Sequence, residues 1–589
     1  MKTRTVLLLC GVVFLGGAAV CQAQDVESDW NDFLHYTMIG RFDLAQGYAQ
    51  RLIEGDPDPL KLLELSESNP EGYRVLLKIY DDSDELRELA GQILDIIEKG
   101  RYERRTDPKI ITGEIARLST TIRGKIAAQE RLKNAGEFAI PYMLVVLNDP
   151  SRRDEFANIV ETLPMIGRSA IRPLGASLQT ENVAVKTEII RALGKIGYFQ
   201  SLPYLKYEVE NAVSEDIRQE AQMAIDQIDS QQGSLPAAEL FFMLAEMYYD
   251  NQDSVAAPAE FDFANVWFWD ENKQVAMRFE VSPEYFNELM AMRTCEWALK
   301  ADAGIGKAIG LWLASFFRAE SYGIEMPEYF GAGHADAMTY AVTAGPEYLH
   351  LALARALSRS ENYVALQVVE AMAVNAGSQA LLERVGTEMP LAQALQYEDR
   401  KVRYSAAIAL GQANPTQDFT GSSLIVENLA AAVRGDGADE LGQDLADAYS
   451  MRAMKVFRKL AISRNSIVRL SDGLEALIGA TMSDRSEMQV LAFDVLVRLT
   501  SPEAQRAIAA AAMNEQNDKD VRLAAFGSLA DSAKVNANLL LSEQIDAMYE
   551  LIQLRDADAD LRQGAAGAYG ALNLPSQRVK DLILDQAKS

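Results

Sequence analysis

One short pattern recurs along this chain and limits what the chain can fold into. It combines a charged residue, an aliphatic residue and a basic residue with small or aliphatic residues four and eight positions beyond the aliphatic one. Full copies start at Asp216, Lys401, Asp520 and Asp560, and a copy without the acid starts at Val185. Positions i, i+4 and i+8 share one helix face, so each copy predicts a helix with a narrow stripe of small apolar residues. Stacking of such helices buries the stripes, which predicts a solenoid.

A second pattern marks the first helix of each predicted pair. Ala139, Ala170 and Ser201 lie 31 residues apart, and each begins a segment with a nearby proline. Proline is tolerated in the first helical turn, where its missing N–H has no partner to lose. The middle unit therefore predicts a helix over 170–178, a turn at 180–182 and a second helix over 183–197.

These helix pairs resemble the HEAT repeat family, including the HEAT-like units of the PBS-lyase type, over residues 138–230 and 345–589. The resemblance implies an all-α solenoid and says little about activity, because one fold hosts many functions. It also implies a structural ladder of charged residues between adjacent repeats. The residues at the ladder positions are Asp216, Arg218, Arg403, Asp520, Arg522, Asp560 and Arg562.

Two other regions resemble tetratricopeptide repeats (TPR). The first has Trp30, Phe33, Gly40, Ala45 and Ala49 in a helix-turn-helix pattern, and the second lies around residues 291–314. The predicted domains are a signal peptide over 1–23, an N-terminal helical region with a TPR-like start over 24–137, HEAT-like repeats over 138–234, a central TPR-like module over 235–330, and C-terminal HEAT-like repeats over 331–589. The fold class is all-α, an α-solenoid of HEAT-like and TPR-like helical hairpins.

The central module contains one β signal, which predicts an embedded hairpin at about residues 261–281. Apolar residues alternate with other residues on both sides of the polar turn 270–273. Trp267, Trp269 and Phe279 give the hairpin an aromatic face. Large aromatic side chains usually serve burial, so packing onto adjacent helices is the favoured interpretation. The alternative is a candidate binding surface that takes a partner's apolar side chain or stacks on sugar rings.

The first residues predict export. Lys2 and Arg4 precede an apolar run over 6–20, and Cys21 and Ala23 occupy the positions that a signal peptidase reads. We expect cleavage near Ala23 and a periplasmic or secreted protein without a membrane span, with lipidation of Cys21 as the minor alternative. The remaining cysteine, Cys295, lies in an apolar helical pattern and is expected to be buried.

Charge and residue types exclude several functions. The chain has a net charge of −28, which becomes −30 when Lys2 and Arg4 leave with the leader. No basic stripe is present to neutralise phosphates, so nucleic acid is not an expected partner. The three histidines, His35, His334 and His350, have no spacing typical of a zinc site or a catalytic triad. We expect no catalytic residue, no metal site and no cofactor.

The sequence therefore predicts an exported, non-catalytic helical-repeat scaffold that binds a protein partner along its helices. The alternative is a carbohydrate- or peptidoglycan-associated binding module that uses the aromatic hairpin. An enzyme ranks third, because the HEAT-like resemblance includes lyase-associated proteins but no nucleophile or acid pair stands out.

Overall fold

The chain forms two compact units, each of which is described by itself. The computed structural model describes residues 18–258, 261–375, 377, 379–575, 577, 579–581 and 583–584, with side chains from residue 26 onward except those of 82 and 375. Unit 1 holds the described residues up to Ala237 and the segment Asn265–Glu280. Unit 2 holds Ala238–Ala264 and the described residues from Val281 onward. The predicted leader lies outside the described residues except for the backbone of 18–23.

Unit 1 is built from antiparallel helix pairs with short connections. Its helices are α1 (Ala18–Met38), α2 (Phe42–Glu54), α3 (Pro59–Ser68), α4 (Pro70–Asp82), α5 (Arg87–Thr106), α6 (Pro108–Arg117), α7 (Ile122–Ala135), α8 (Ala139–Asn148), α9 (Phe156–Thr162), α10 (Ile171–Ser177), α11 (Val183–Ile196), α12 (Leu202–Asn211) and α13 (Glu215–Asp229). The TPR-like start corresponds to α1 and α2, whose Trp30, Phe33, Ala45 and Ala49 are fully buried in one core.

Unit 2 continues the same construction. Its helices are α14 (Ala237–Tyr249), α15 (Phe286–Ala301), α16 (Gly306–Ser321), α17 (Ala337–Ala344), α18 (Pro346–Ser358), α19 (Asn362–Asn375), α20 (Pro390–Ala394), α21 (Arg400–Ala413), α22 (Ser423–Arg434), α23 (Ala438–Leu441), α24 (Gln443–Ser463), α25 (Leu474–Ala480), α26 (Ser486–Leu496), α27 (Pro502–Met513), α28 (Lys519–Asn536), α29 (Ser542–Gln553) and α30 (Ala559–Ala571). Within the described residues, no helix is long and apolar enough to span a bilayer.

Local sequence explains where a typical pair begins and ends. The Asn182 side chain caps α11 by accepting hydrogen bonds from the backbone N–H groups of Ala184 and Val185, at 3.1 and 3.3 Å. Gly197 ends the helix in the left-handed conformation, with φ of 75°. The pair predicted over 170–178 and 183–197 is thus confirmed as α10 and α11.

Second helices of neighbouring pairs pack on one another. In unit 1, α11 packs on α13, and in unit 2, α19, α21, α24, α26, α28 and α30 pack in succession. Small residues permit the close approach, since a Cβ added to Gly194 of α11 would lie 2.8 Å from the Ala224 Cβ of α13. The predicted fold class, an all-α solenoid with one embedded hairpin, is confirmed.

The predicted hairpin consists of β1 (Ala264–Asp270) and β2 (Val275–Val281). The Asp270 carboxylate accepts hydrogen bonds from the backbone N–H groups of Asn272 and Lys273, both at 3.0 Å, and so fixes the turn. The two strands form a two-stranded sheet. Although the hairpin falls within the predicted central module, its segment Asn265–Glu280 belongs to unit 1.

Candidate functional site

The arginines at the predicted ladder positions cap helices inside each pair. Each donates a hydrogen bond from the start of the second helix to a backbone carbonyl near the end of the preceding helix, where carbonyls lack partners. The bonds run from Arg218 to Ala212 O at 2.8 Å, from Arg403 to Tyr397 O at 2.5 Å, from Arg522 to Ala512 O at 3.0 Å, and from Arg562 to Ile552 O at 3.2 Å. These contacts lie within pairs, whereas the resemblance implied contacts between adjacent repeats.

Charged contacts between neighbouring second helices do occur, and other residues make most of them. Of the predicted acids, Asp560 accepts from Lys519 at 2.6 Å, while Asp216 and Asp520 are exposed in the first turns of their helices. Further pairs are Lys125 with Glu161 at 2.7 Å, Arg191 with Glu220 at 2.9 Å, and Arg458 with Asp494 at 2.6 Å. Exposed ion pairs contribute only about 0–1 kcal/mol each to the stability of a fold, so these pairs align neighbouring helices more than they stabilise them.

A buried carboxylate anchors the hairpin to the helices of unit 1. Glu137 is 3% exposed and lies in the short turn Gly136–Phe138 that leads into α8. It accepts hydrogen bonds from Asn265 Nδ2 at 2.7 Å and from Trp267 Nε1 at 2.8 Å. The guanidinium of Arg172 lies 3.6 Å away and balances the charge. Local patterns could not predict this anchor, because Asn265 and Trp267 lie more than 120 positions from Glu137.

The aromatic residues of the hairpin lie on both of its faces. Trp267 is 4% exposed and packs with Ala176, Ala276 and the half-buried Trp269. Phe279 instead contacts Phe268, at 5.4 Å between ring centroids. Successive strand residues point to opposite faces, so Phe268 and Phe279 lie on the face opposite Trp267. The three predicted binding residues therefore do not form one surface, and nothing in their arrangement favours stacking of a sugar ring on Trp267.

The hairpin borders an open cleft of about 600 Å³ within unit 1, which we call the hairpin cleft. The cleft is lined mainly by Glu103, Asp107, Phe138, Tyr142, Val145, Trp267, Val275, Ala276 and Arg278. One wall is the junction of α5 and α6, the floor is α8, and the other wall is the hairpin. Val145 is 50% exposed there although it is aliphatic. An apolar floor with a few polar groups on its walls is typical of a binding site.

Arg278 is the principal basic group of the cleft and is held in place on several sides. Its Nη1 donates to Glu280 and, at 3.0 Å, to Asn265 Oδ1, and its guanidinium lies over the Phe138 ring, 5.0 Å from the centroid. Burial lowers the pKa of Arg278, but the bonds to Glu280 and Tyr102 outweigh burial and raise the pKa overall. Arg278 therefore stays charged and positioned.

The pKa of Tyr142 on the cleft floor is affected by two charges of opposite sign, Arg278 and Asp107. Burial raises the pKa of its phenol, Asp107 raises it further, and Arg278 opposes this shift. Asp107 and Arg278 therefore act on the pKa of Tyr142 in opposite directions. The cleft is thus lined by carboxylates, by one guanidinium and by an apolar floor.

Unit 2 contains a buried ionic network that the sequence analysis missed. Arg318 of α16 donates to Glu288 at 2.7 Å and to Glu361 at 3.0 Å, and its guanidinium lies over the Tyr249 ring at 3.8 Å. Tyr249 also donates to Glu361. These residues join α14, α15, α16 and the start of α19. The network explains how this part of the unit is fixed, although the second Glu288 oxygen, Oε2, is buried without a hydrogen-bond partner among the described residues.

The remaining reactive groups of the described residues are dispersed. Cys295 is a buried free thiol, and its burial is what the apolar pattern predicted. Burial raises the pKa of the thiol. His350 is buried and its Nε2 contacts the Ala380 carbonyl at 2.8 Å, whereas His35 and His334 are exposed. Among the residues from 26 onward that the structure describes, no group of His, Cys, Asp or Glu has the arrangement of a metal site.

Comparisons with known proteins give structural matches only. No family model matches the chain, and no curated protein does. UNC-45 from Drosophila melanogaster is 12% identical, with 96% of this chain and 78% of that chain covered and a TM-score of 0.32. A structure of importin beta is 12% identical, with 93% and 71% covered and a TM-score of 0.28. An engineered protein is 15% identical, with 79% and 99% covered and a TM-score of 0.28. Such distant likenesses carry no argument about what the chain binds.

Proposed function

We propose that this chain is an exported, non-catalytic helical-repeat scaffold of the HEAT type that binds a protein partner. The observation that carries the proposal is the hairpin cleft, which offers the aliphatic Val145 to solvent between two charged walls. Exposed apolar surface rimmed by polar groups is characteristic of interaction sites. The layered second helices add a long surface of the kind that repeat proteins use for extended partners.

The HEAT assignment is supported by the repeated pattern and by the arginine caps. Arg522 and Arg562 make equivalent contacts, each from Nε to the carbonyl ten residues earlier, and Arg403 donates to a carbonyl six residues earlier. Export is supported by the basic start, the apolar run over 6–20 and the small residues Cys21 and Ala23.

The test is affinity capture from envelope and secreted fractions of the source organism, with residues 24–589 as bait. The deciding variant is Val145→Lys, which places a charge on the cleft floor. Its matched control is Val183→Lys, because Val183 is 54% exposed and lies outside the cleft lining. Both substitutions affect half-exposed side chains, so both variants should fold.

We expect a reproducible protein partner whose recovery falls about tenfold with Val145→Lys and stays unchanged with Val183→Lys, since burying a new charge at an interface costs more than 1.4 kcal/mol. Recovery of no protein, or equal recovery with both variants, would contradict binding at the cleft. Trp267→Ala is unsuitable as a test, because Trp267 is buried and its loss would disturb the hairpin itself.

A further inference from the structure

Strand β2 provides most of the hairpin residues that line the hairpin cleft. Val275, Ala276 and Arg278 all line the cleft. Val275 points to the opposite side of the strand from Ala276 and Arg278, because side chains alternate along a strand. Strand β1 contributes only Trp267 to the same lining, so the cleft lies on the β2 side of the hairpin. A narrow second recess beside Trp269 is also lined by Val275 and Ala276, so the opening follows the strand.

The edge of β2 that faces away from β1 has hydrogen-bonding capacity left over. The sheet has two strands, and among the described residues no third strand pairs with it. In the same part of the chain, no backbone hydrogen bond joins Val275 or Ala276 to an element outside the hairpin. An edge strand directs the N–H and C=O groups of alternate residues outward, where an added strand can pair with them. The seven residues of β2 extend over roughly 23 Å.

The opposite wall defines what kind of segment fits. Glu103 in the last turn of α5 and Asp107 at the N-terminus of α6 both line the cleft. One Asp107 oxygen, Oδ1, caps α6 by accepting from Lys109 N at 2.6 Å. Arg278 is already paired with Glu280, so its charge is offset. The cleft is therefore lined by two carboxylates as well as by the edge strand β2.

The floor between the strand edge and this wall is apolar. Val145 is half exposed, and Pro141 and Phe138 lie beside it. A segment paired with β2 would direct alternate side chains to the two sides of the added strand. Those on one side would meet the apolar floor, and those on the other could reach the carboxylates.

We propose that the outer edge of β2 binds an extended segment of the protein partner by strand addition, and that this segment alternates basic and aliphatic residues. The backbone of β2 supplies the pairing, Val145 contacts the aliphatic side chains, and Glu103 and Asp107 recognise the basic ones. The inference rests on the proposed function, because it specifies how the partner of that same cleft is bound. The acidic charge of the whole chain, −28, favours the approach of such a segment.

The test uses a fluorescein-labelled hexapeptide of alternating lysine and valine, titrated with residues 24–589 at physiological salt and followed by fluorescence anisotropy. Two comparison peptides separate the contributions. One has glutamate in place of lysine, and the other has N-methyl groups on alternate backbone amides, which block strand pairing but keep the side chains. We expect both comparison peptides to bind at least about tenfold more weakly than the parent.

The protein variants address the acidic wall. Glu103→Gln with Asp107→Asn removes both charges, and asparagine preserves the helix cap. We expect the dissociation constant for the lysine–valine peptide to rise about tenfold. The control is Glu130→Gln with Asp154→Asn, which removes two charges from exposed residues of unit 1 outside the cleft lining and should leave binding unchanged.

Two results would overturn the inference. One is absence of binding by the lysine–valine peptide, and the other is equal binding of the N-methylated peptide. If a protein partner were still captured in a Val145-dependent manner, the scaffold function would stand and only strand addition would be rejected. If capture failed as well, the proposed function itself would be rejected.

Discussion

The Trp267 indole N–H and the Glu137 carboxylate lie 2.8 Å apart and are both buried, although Glu137 precedes α8 and Trp267 belongs to β1. Asn265 donates a second hydrogen bond to the same carboxylate at 2.7 Å. A buried charge is stable only when its partners are in place, and removal of one member leaves the others unsatisfied. The position of β2, and with it the hairpin cleft, therefore depends on Glu137.

Glu137→Ala should loosen the hairpin selectively. It removes the acceptor for two buried donors and leaves Arg172 without its buried partner, which costs about 3 kcal/mol. Hydrogen exchange followed by mass spectrometry should show lost protection in residues 264–281 with little change in α11 and α13. The exposed Glu130→Ala serves as the control and should change neither region. Unchanged protection of the hairpin in Glu137→Ala would show that the anchor is not required.

The repeats were predictable because their signals are local. The stripe of Val521, Ala525 and Leu529, for example, is set by helical spacing alone, and all three residues are buried as that spacing predicts. Caps such as Asn182 and stops such as Gly197 are also local, so helix bounds followed from nearby residues. Such patterns fix the class of fold before any tertiary contact is known.

The site was less predictable because it depends on contacts between distant residues. Alternation predicts a hairpin but not which residues of β1 lie opposite those of β2. It therefore places Phe279 on the face of Trp267, whereas Phe279 lies on the other face. In the sequence, Glu137 is indistinguishable from an exposed surface acid, because its partners Asn265 and Trp267 become neighbours only in the fold. The cleft combines α5, α6, α8 and β2, and no sequence period connects these elements.

Two glycine substitutions should change stability in opposite directions. A Cβ on Gly194 would lie 2.8 Å from the Ala224 Cβ and 3.0 Å from its Cα, so Gly194→Ala must push α11 and α13 apart. We expect a loss of about 1–3 kcal/mol. Gly527 of α28 has open space around its added Cβ, and Gly527→Ala should stabilise by up to about 1 kcal/mol through helix propensity.

Thermal unfolding followed by circular dichroism, with hydrogen exchange to locate the change, would compare the two glycine variants. Loss of protection in Gly194→Ala should be confined to α11, α13 and their neighbours, because each repeat contacts mainly the next one. A stabilising Gly194→Ala would mean that these helices can separate without cost, contrary to their close contact.

The arginine caps should matter locally as well. Arg522 Nε donates to Ala512 O at 3.0 Å and so satisfies a carbonyl at the end of α27. Arg522→Met keeps much of the aliphatic stem and removes the donor, which should cost about 1 kcal/mol. The matched control is Arg555→Met, because Arg555 is exposed in the loop after α29. Hydrogen exchange in α27 and α28 should increase for Arg522→Met only, and equal exchange in both variants would argue against the cap.

Acidification should destabilise the region around His350. Burial lowers the pKa of His350 below its ordinary value, while the contact of Nε2 with the Ala380 carbonyl opposes this shift in part. In the unfolded chain the imidazole has a pKa of about 6.5. As the pH falls below about 6.5, the unfolded chain therefore takes up a proton more readily than the folded protein, and stability decreases until the lowered folded pKa is reached. This loss of stability is absent above about pH 7.5, where the imidazole is neutral in both the folded and the unfolded chain.

The corresponding measurement is the exchange of amides in α18 between about pH 7.5 and pH 5.5, corrected for the intrinsic pH dependence of exchange. One such histidine changes the free energy of unfolding by at most about 1.4 kcal/mol per pH unit. His350→Gln removes the titrating group and keeps a side-chain N–H that can reach the Ala380 carbonyl, so the slope should become flatter. The exposed His35→Gln provides the comparison, since His35 lies on α1 far along the chain. A slope that persists unchanged in His350→Gln would assign the pH dependence to other groups.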